Sequence, residues 1–257
     1  MFNKGIDITP TYNPLSYELG ENTFGPVPEV RHLSDVRKSL MDPNCDGPED
    51  LYAIVMGIGR KEDLQAMDER NLLFASCNYN YGTMGKEPVR SQGHIHSVSK
   101  SCNASTCELY EIWEGEAIIY MQEYVKDDPG RCFAIRAKKG EVVIVPPGWG
   151  HQTVNANIHA PMVFGAWCVK DYGFDYDDVR AHKGLAYYPM VENDDVTWVK
   201  NGNYNESTLI ERSPRIYTEF GIDPNKSIYE QFVENPDMML FVSRPETAKE
   251  KWVHFEP

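Results

Sequence analysis

Short apolar runs broken by glycine and proline dominate the middle of this chain. Between about residues 51 and 189 they fall at 51–56, 72–77, 117–121, 132–137, 142–145 and 161–169. Val, Ile, Leu and aromatic residues fill them, and turn residues separate them, as at Glu114-Gly115, Lys139-Gly140 and Pro146-Pro147-Gly148. Strands of that length and spacing predict an antiparallel sandwich or barrel. Apolar and polar positions alternate only in part, as expected where one inner face lines a pocket.

The flanks read differently. Residues 1–30 are rich in Pro, Gly, Asn and Tyr and carry no period, which predicts an irregular arm over the main domain. A short extended stretch follows at 30–36, then a helix of about two turns through Arg37 and Leu40, with Ser34 or Asp35 as its cap. Asp42-Pro43 and Gly47-Pro48 end it. Beyond about Asn201, residues 213–220 and 227–233 place apolar side chains at three- and four-residue spacing, which predicts short helices. The expected divisions are therefore an arm with a short helix at 1–48, a barrel at 49–195 and a C-terminal extension with short helices at 196–257.

Two motifs on the predicted strands carry candidate chemistry. Gly93-His94-Ile95-His96 places two imidazoles two residues apart, and on a strand such residues face the same way. Glu108 opens a later strand, and His151 follows a Pro-Pro-Gly-Trp-Gly turn whose restricted backbone would fix its approach. Three imidazoles and one carboxylate suit a catalytic transition metal with open positions; Fe, Mn, Zn, Ni and Cu all accept such a set. Glu111 or Glu114 could stand in for Glu108, but Glu111 would point to the opposite face of the strand.

Composition narrows the function classes. The chain has 257 residues, 41% of them apolar, and a formal net charge of -14. That charge argues against nucleic acid as a partner, since phosphate backbones need basic patches. A small anionic substrate stays possible where a metal supplies local positive charge. The N-terminal residues lack the apolar stretch of a secretory signal, and no run approaches the roughly 18 apolar residues that span a bilayer. A cytoplasmic protein with no membrane partner is the expectation, and the six scattered cysteines are then expected to be free thiols.

Glu108 with Gly115, and Gly140 with Pro146, Gly148, His151 and Asn155, match the two motifs of the cupin superfamily, the second completely. The resemblance implies an all-β cupin jelly-roll barrel. Residues 97–107 depart from it: they separate His96 from Glu108, where cupins usually carry only a few residues, and are expected to bulge beside the pocket mouth. Over about residues 28–195 the chain also resembles the cupin-type glucose-6-phosphate isomerases of archaea and some bacteria. That resemblance rests on Val30-Arg31-His32-Leu33-Ser34-Asp35, the two histidine motifs, Glu108-Leu109-Tyr110 and Tyr172-Gly173-Phe174-Asp175-Tyr176.

The resemblance implies a metal-dependent aldose–ketose isomerase that interconverts glucose 6-phosphate and fructose 6-phosphate in glycolysis and gluconeogenesis, working as a homodimer. It implies one divalent transition metal per subunit, Fe, Mn or Zn, held by His94, His96, Glu108 and His151. Glu108 would also be the base and Tyr110 a substrate-side hydroxyl. Tyr52, Ser76 (or Cys77), Ser91, Gly93 and Tyr176 would contact the sugar phosphate. Tyr79 and Tyr81 could add hydrogen bonds, while Lys86 and Arg90 read as solvated surface charges. Cys168, Phe174 and Ser91 stand where the family carries other residues. These departures cluster on the substrate side. They leave as alternatives an isomerase of another 6-substituted anionic hexose such as sulfoquinovose, a non-catalytic cupin sugar-binding module and an oxygen-dependent metalloenzyme.

Overall fold

Two sheets, antiparallel except for one strand pair, face each other in the computed structural model, which describes residues 3–257. The larger runs in the order Val142–Val145, Glu108–Glu114, Met162–Val169, Leu72–Tyr79, Asp50–Arg60 and Thr23–Phe24, with Glu29–His32 also paired to Asp50–Arg60. The smaller runs Gly150–Asn155, Glu116–Gln122, Cys132–Lys138, Leu209–Arg212. Leu73, Ala75, Cys77, Tyr110, Ile112 and Phe164 of the first meet Ala117, Ile119, Met121, Phe133 and Ile135 of the second in one apolar core. The all-β jelly-roll barrel expected of the cupin resemblance is what the chain forms.

The partly kept alternation has a different cause from the expected one. Leu72–Tyr79 and Met162–Val169 are buried along their whole length because the larger sheet is covered on both faces. Its outer side chains, among them Phe74, Leu109, Trp113 and Trp167, pack under Ile228, Tyr229, Phe232, Phe241 and Val242 from the C-terminal helices. Trp167 anchors this layer: its ring centroid lies 4.7 Å from Phe74 and 4.4 Å from Phe232, and its Nε1 donates to Ile228 O at 3.1 Å. Burying one such side chain stabilises the fold by roughly 1.5–3 kcal/mol.

Other expectations at the flanks are corrected. The N-terminal arm is not irregular throughout: Ile8–Tyr12 and Leu15–Leu19 form a hairpin. The cap of the helix Leu33–Val36 is His32, and Asp35 serves it from inside by accepting from His32 N at 2.8 Å. Of the two predicted C-terminal helices, Ile228–Glu234 forms, with Ser227 as its cap, whereas the other shrinks to the 3-10 turn Thr218–Phe220. Leu209–Arg212 is an unforeseen strand that pairs in parallel with Cys132–Lys138. No helix among the described residues is long and apolar enough to cross a membrane. All six cysteines are free.

Candidate metal centre

The two sheets and a short bridge between them deliver the four candidate ligands to one place. Glu108 opens a strand of the larger sheet, and His151 lies on Gly150–Asn155 of the smaller one. His94 is tied to His151 by paired backbone hydrogen bonds of 3.0 and 2.9 Å. His96 sits on Ile95–His96, which pairs with Phe174–Asp175. Gly93 precedes them at φ +89°, left-handed backbone that suits glycine, and a Cβ there would come within 3.1 Å of Leu185. Gly148, at φ +82°, makes the turn that aims His151.

One potential ligand atom from each of His94, His96, Glu108 and His151 lies within 4.8 Å of the others. His96 Nδ1 lies 3.0 Å from Thr106 O and His151 Nδ1 lies 3.2 Å from Trp149 O. A proton on each Nδ1 satisfies those carbonyls and leaves the Nε2 lone pairs facing inward. Those Nε2 atoms stand 3.2 and 3.3 Å from Glu108 Oε2. Two lone pairs aimed at a carboxylate repel unless a proton or a cation lies between them. His94 Nε2 is buried with no hydrogen-bond partner at all. An orphaned nitrogen beside two inward lone pairs and a carboxylate fits a metal ion.

The charges agree. Burial, then the adjacent His151 and His96, push the His94 pKa well below the usual imidazole range, so the ring is neutral, as a metal would need it. Burial would raise the Glu108 carboxyl, but where His151 and His96 carry protons on Nε2 their hydrogen bonds outweigh it and hold the group well below the usual carboxylate range; a cation in the same place acts in the same direction. The other acids point elsewhere. Glu111 faces the C-terminal layer, accepting from Trp113 Nε1 at 2.8 Å and Ile228 N at 2.9 Å, and Glu114 accepts from Tyr12 Oη at the surface.

A pocket opens from this cluster through the barrel. Tyr110 lines it and its hydroxyl donates to Glu108 Oε2 at 2.8 Å; burial and the nearby carboxylate raise its pKa well above the ordinary range. Tyr52, Ser91, Gly93 and Tyr176 line it too. Tyr52 stacks on Tyr79 at 4.6 Å, and Ser91 Oγ accepts from Thr153 N at 3.0 Å. Phe174 lies against the His94 ring at 4.5 Å. Cys168 is buried at the Glu108 end, its thiol pushed up by burial and by Glu108.

Ser76 is a correction. It lies on the far face of Leu72–Tyr79, where its hydroxyl donates to Phe164 O at 2.8 Å and meets Tyr17 Oη, while Cys77 takes the pocket side. Arg90 is not a solvated charge either: it is 1% exposed, paired with Glu87 and bonded to Ser39 O. Lys86 and Tyr81 lie away from the pocket. Arg31 and Gln92 line the pocket and were not foreseen. Arg31 reaches it because Glu29–His32 registers Arg31 opposite Tyr52, a pairing no local pattern announces. The 97–107 loop does more than bulge. Its Ser105 hydroxyl donates to His96 O at 2.7 Å and accepts from Gly148 N at 3.0 Å, tying the two histidine motifs together.

The glucose-6-phosphate isomerase family model matches residues 41–207. The glucose-6-phosphate isomerase of Pyrococcus abyssi is 29% identical over 197 residues, covering 73% of this chain and 95% of that protein. That of Thermococcus gammatolerans is 30% identical over 184 residues, covering 68% and 87%. Among solved structures, an oxalate oxidase superposes with a TM-score of 0.37 at 13% identity, over 50% of this chain and 56% of that one.

Proposed function

The chain belongs to the glucose-6-phosphate isomerase family and is an isomerase, and from that premise we propose that its barrel pocket interconverts glucose 6-phosphate and fructose 6-phosphate with one divalent metal held by His94, His96, Glu108 and His151. The observation that carries the metal is the convergence of three imidazoles on the Glu108 carboxylate, with His94 Nε2 buried and unpartnered. Fe, Mn and Zn all suit that donor set.

The reaction moves a hydrogen between C2 and C1 of an open-chain sugar and a proton between the attached oxygens. A metal held there would supply positive charge that polarises the sugar carbonyl and acidifies the adjoining C–H. Glu108 is ionised in this site and accepts the proton from one carbon and returns it to the other. A carboxylate with a depressed pKa is a weak base, so it relies on that acidified C–H. The Tyr110 hydroxyl donates its one proton to Glu108 Oε2 and keeps it, so it fixes the carboxylate and leaves its own oxygen free to accept from a sugar hydroxyl. Phe174 and the apolar lining, Phe164 and Met56 among it, exclude bulk water from the reacting carbons.

The sugar's anionic end lies toward Tyr52, Ser91, Gly93 and Tyr176 in this proposal. The protein works as a cytoplasmic homodimer in this proposal. The test of the reaction is direct. The metal-loaded protein should convert glucose 6-phosphate to fructose 6-phosphate in a coupled assay, and failure to form product at any metal loading would overturn the reading.

A further inference from the structure

The pocket continues into a second recess nearer the surface. The two cavities share Arg31, Tyr52, Gln92 and Tyr176, and the outer one adds Lys38 and Arg180 together with the 34–36 segment, which includes Asp35. Arg180 stands on the short helix Asp177–Ala181. Its Nε donates to Gln92 Oε1 at 3.1 Å and its guanidinium carbon lies 4.9 Å from the centre of the Tyr176 ring. Gln92 is itself buried. The guanidinium is therefore aimed by two side chains that also line the sugar pocket.

The charge around it is unbalanced. Arg31 has Glu29 at 3.0 Å, and Asp35, the acid of the recess, keeps its charge while accepting from His32 N, so Arg31, Lys38 and Arg180 still outnumber Glu29 and Asp35. The nearest acid in sequence with an ion pair, Asp178, is turned to Lys126. Among the described residues no carboxylate pairs with Arg180, and its two terminal nitrogens carry no hydrogen bond. In a chain of net charge -14, an anionic substrate needs a local positive field to enter. Two free guanidinium nitrogens match two oxygens of a phosphate in a fork that a lysine cannot reproduce.

We propose that Arg180, backed by Arg31, selects for an anionic substituent at the far end of the sugar, gripping it where the two recesses join. The inference rests on the sugar-isomerase reading above. It makes Arg180 a specificity residue remote from the reacting carbons, so its loss acts on binding and not on the chemical step.

The test compares Arg180→Gln, Arg180→Lys and Arg31→Gln with the unaltered enzyme. Steady-state kinetics on glucose 6-phosphate should show KM raised about tenfold or more in Arg180→Gln with kcat changed by less than about threefold, since a charged hydrogen bond is lost from ground and transition states alike. Arg180→Lys should recover part of that loss, and Arg31→Gln should show a smaller rise. Binding of glucitol 6-phosphate, which cannot isomerise, gives the same comparison without turnover and should weaken about tenfold in Arg180→Gln by titration calorimetry. Unchanged binding of glucitol 6-phosphate, or equal losses in kcat/KM for glucose 6-phosphate and unsubstituted glucose, would overturn the role of Arg180. Failure of the isomerase reading looks different: the unaltered enzyme binds glucitol 6-phosphate and turns over nothing.

Discussion

Replacing Ser105 by Ala should loosen the metal centre from a distance. Ser105 sits in the 97–107 loop, and its hydroxyl bridges His96 O and Gly148 N, while the next residue offers Thr106 O to His96 Nδ1. The loop is anchored at its other end. Asp171 accepts from Ser99 Oγ at 2.8 Å, Asn71 Nδ2 at 2.8 Å, and Ser101 N and Oγ at 3.1 and 3.2 Å. Burial opposes its charge, but these donors together outweigh it and hold the Asp171 pKa down to about 2. Losing the Ser105 hydroxyl removes two neutral hydrogen bonds at a half-buried position, a cost of about 1–2 kcal/mol. For a chain of this size that lowers Tm by roughly 3–6 °C. Because the lost bonds orient His96 and the turn before His151, metal affinity should also fall about tenfold or more. Thermal unfolding of the metal-free protein measures the first effect, and competition for the metal against a chromogenic chelator measures the second. Ser105→Thr, which keeps the hydroxyl, should restore both. A variant that loses stability but binds metal as tightly as the parent would refute the link between the loop and the ligands.

Two other predictions concern protons. Glu111 is buried between barrel and C-terminal layer, and burial pushes its pKa up to about 8. The folded state thus holds its proton more tightly than the unfolded chain, so its contribution to stability is complete below about pH 4.5 and is lost as pH rises through about 8. The change amounts to a few kcal/mol; denaturant unfolding at pH 5.5 and 8.5 should show it, Glu111→Gln should flatten it, and an equal slope in both proteins would contradict the assignment. At the active site, isomerisation in deuterated water should place deuterium on carbon in the product if Glu108 carries the proton. Complete absence of exchange would instead favour a direct hydride shift.

The sequence disclosed the metal end of the pocket because its signals are local. His94 and His96 share a face by strand alternation, and the Pro146-Pro147-Gly148 turn fixes His151. The distal end depends on pairings between distant segments. Arg31 enters the pocket through the register of Glu29–His32 against Asp50–Arg60, and Arg180 through a helix far along the chain. The choice between Ser76 and Cys77 hung on the phase of a strand buried on both faces, where apolar residues line either side and alternation gives no phase. Leu209–Arg212 is four residues long and half polar, so nothing local marked it as a strand; its parallel partner supplies the reason it forms.

The central claim is that His94, His96, Glu108 and His151 hold the ion on which isomerisation depends. The most direct measurement strips the protein with a chelator and restores metal stepwise while following both bound metal and the formation of fructose 6-phosphate. Activity should vanish in the stripped protein and return in proportion to bound metal, saturating at about one ion per chain. Undiminished turnover in the metal-free protein would contradict it.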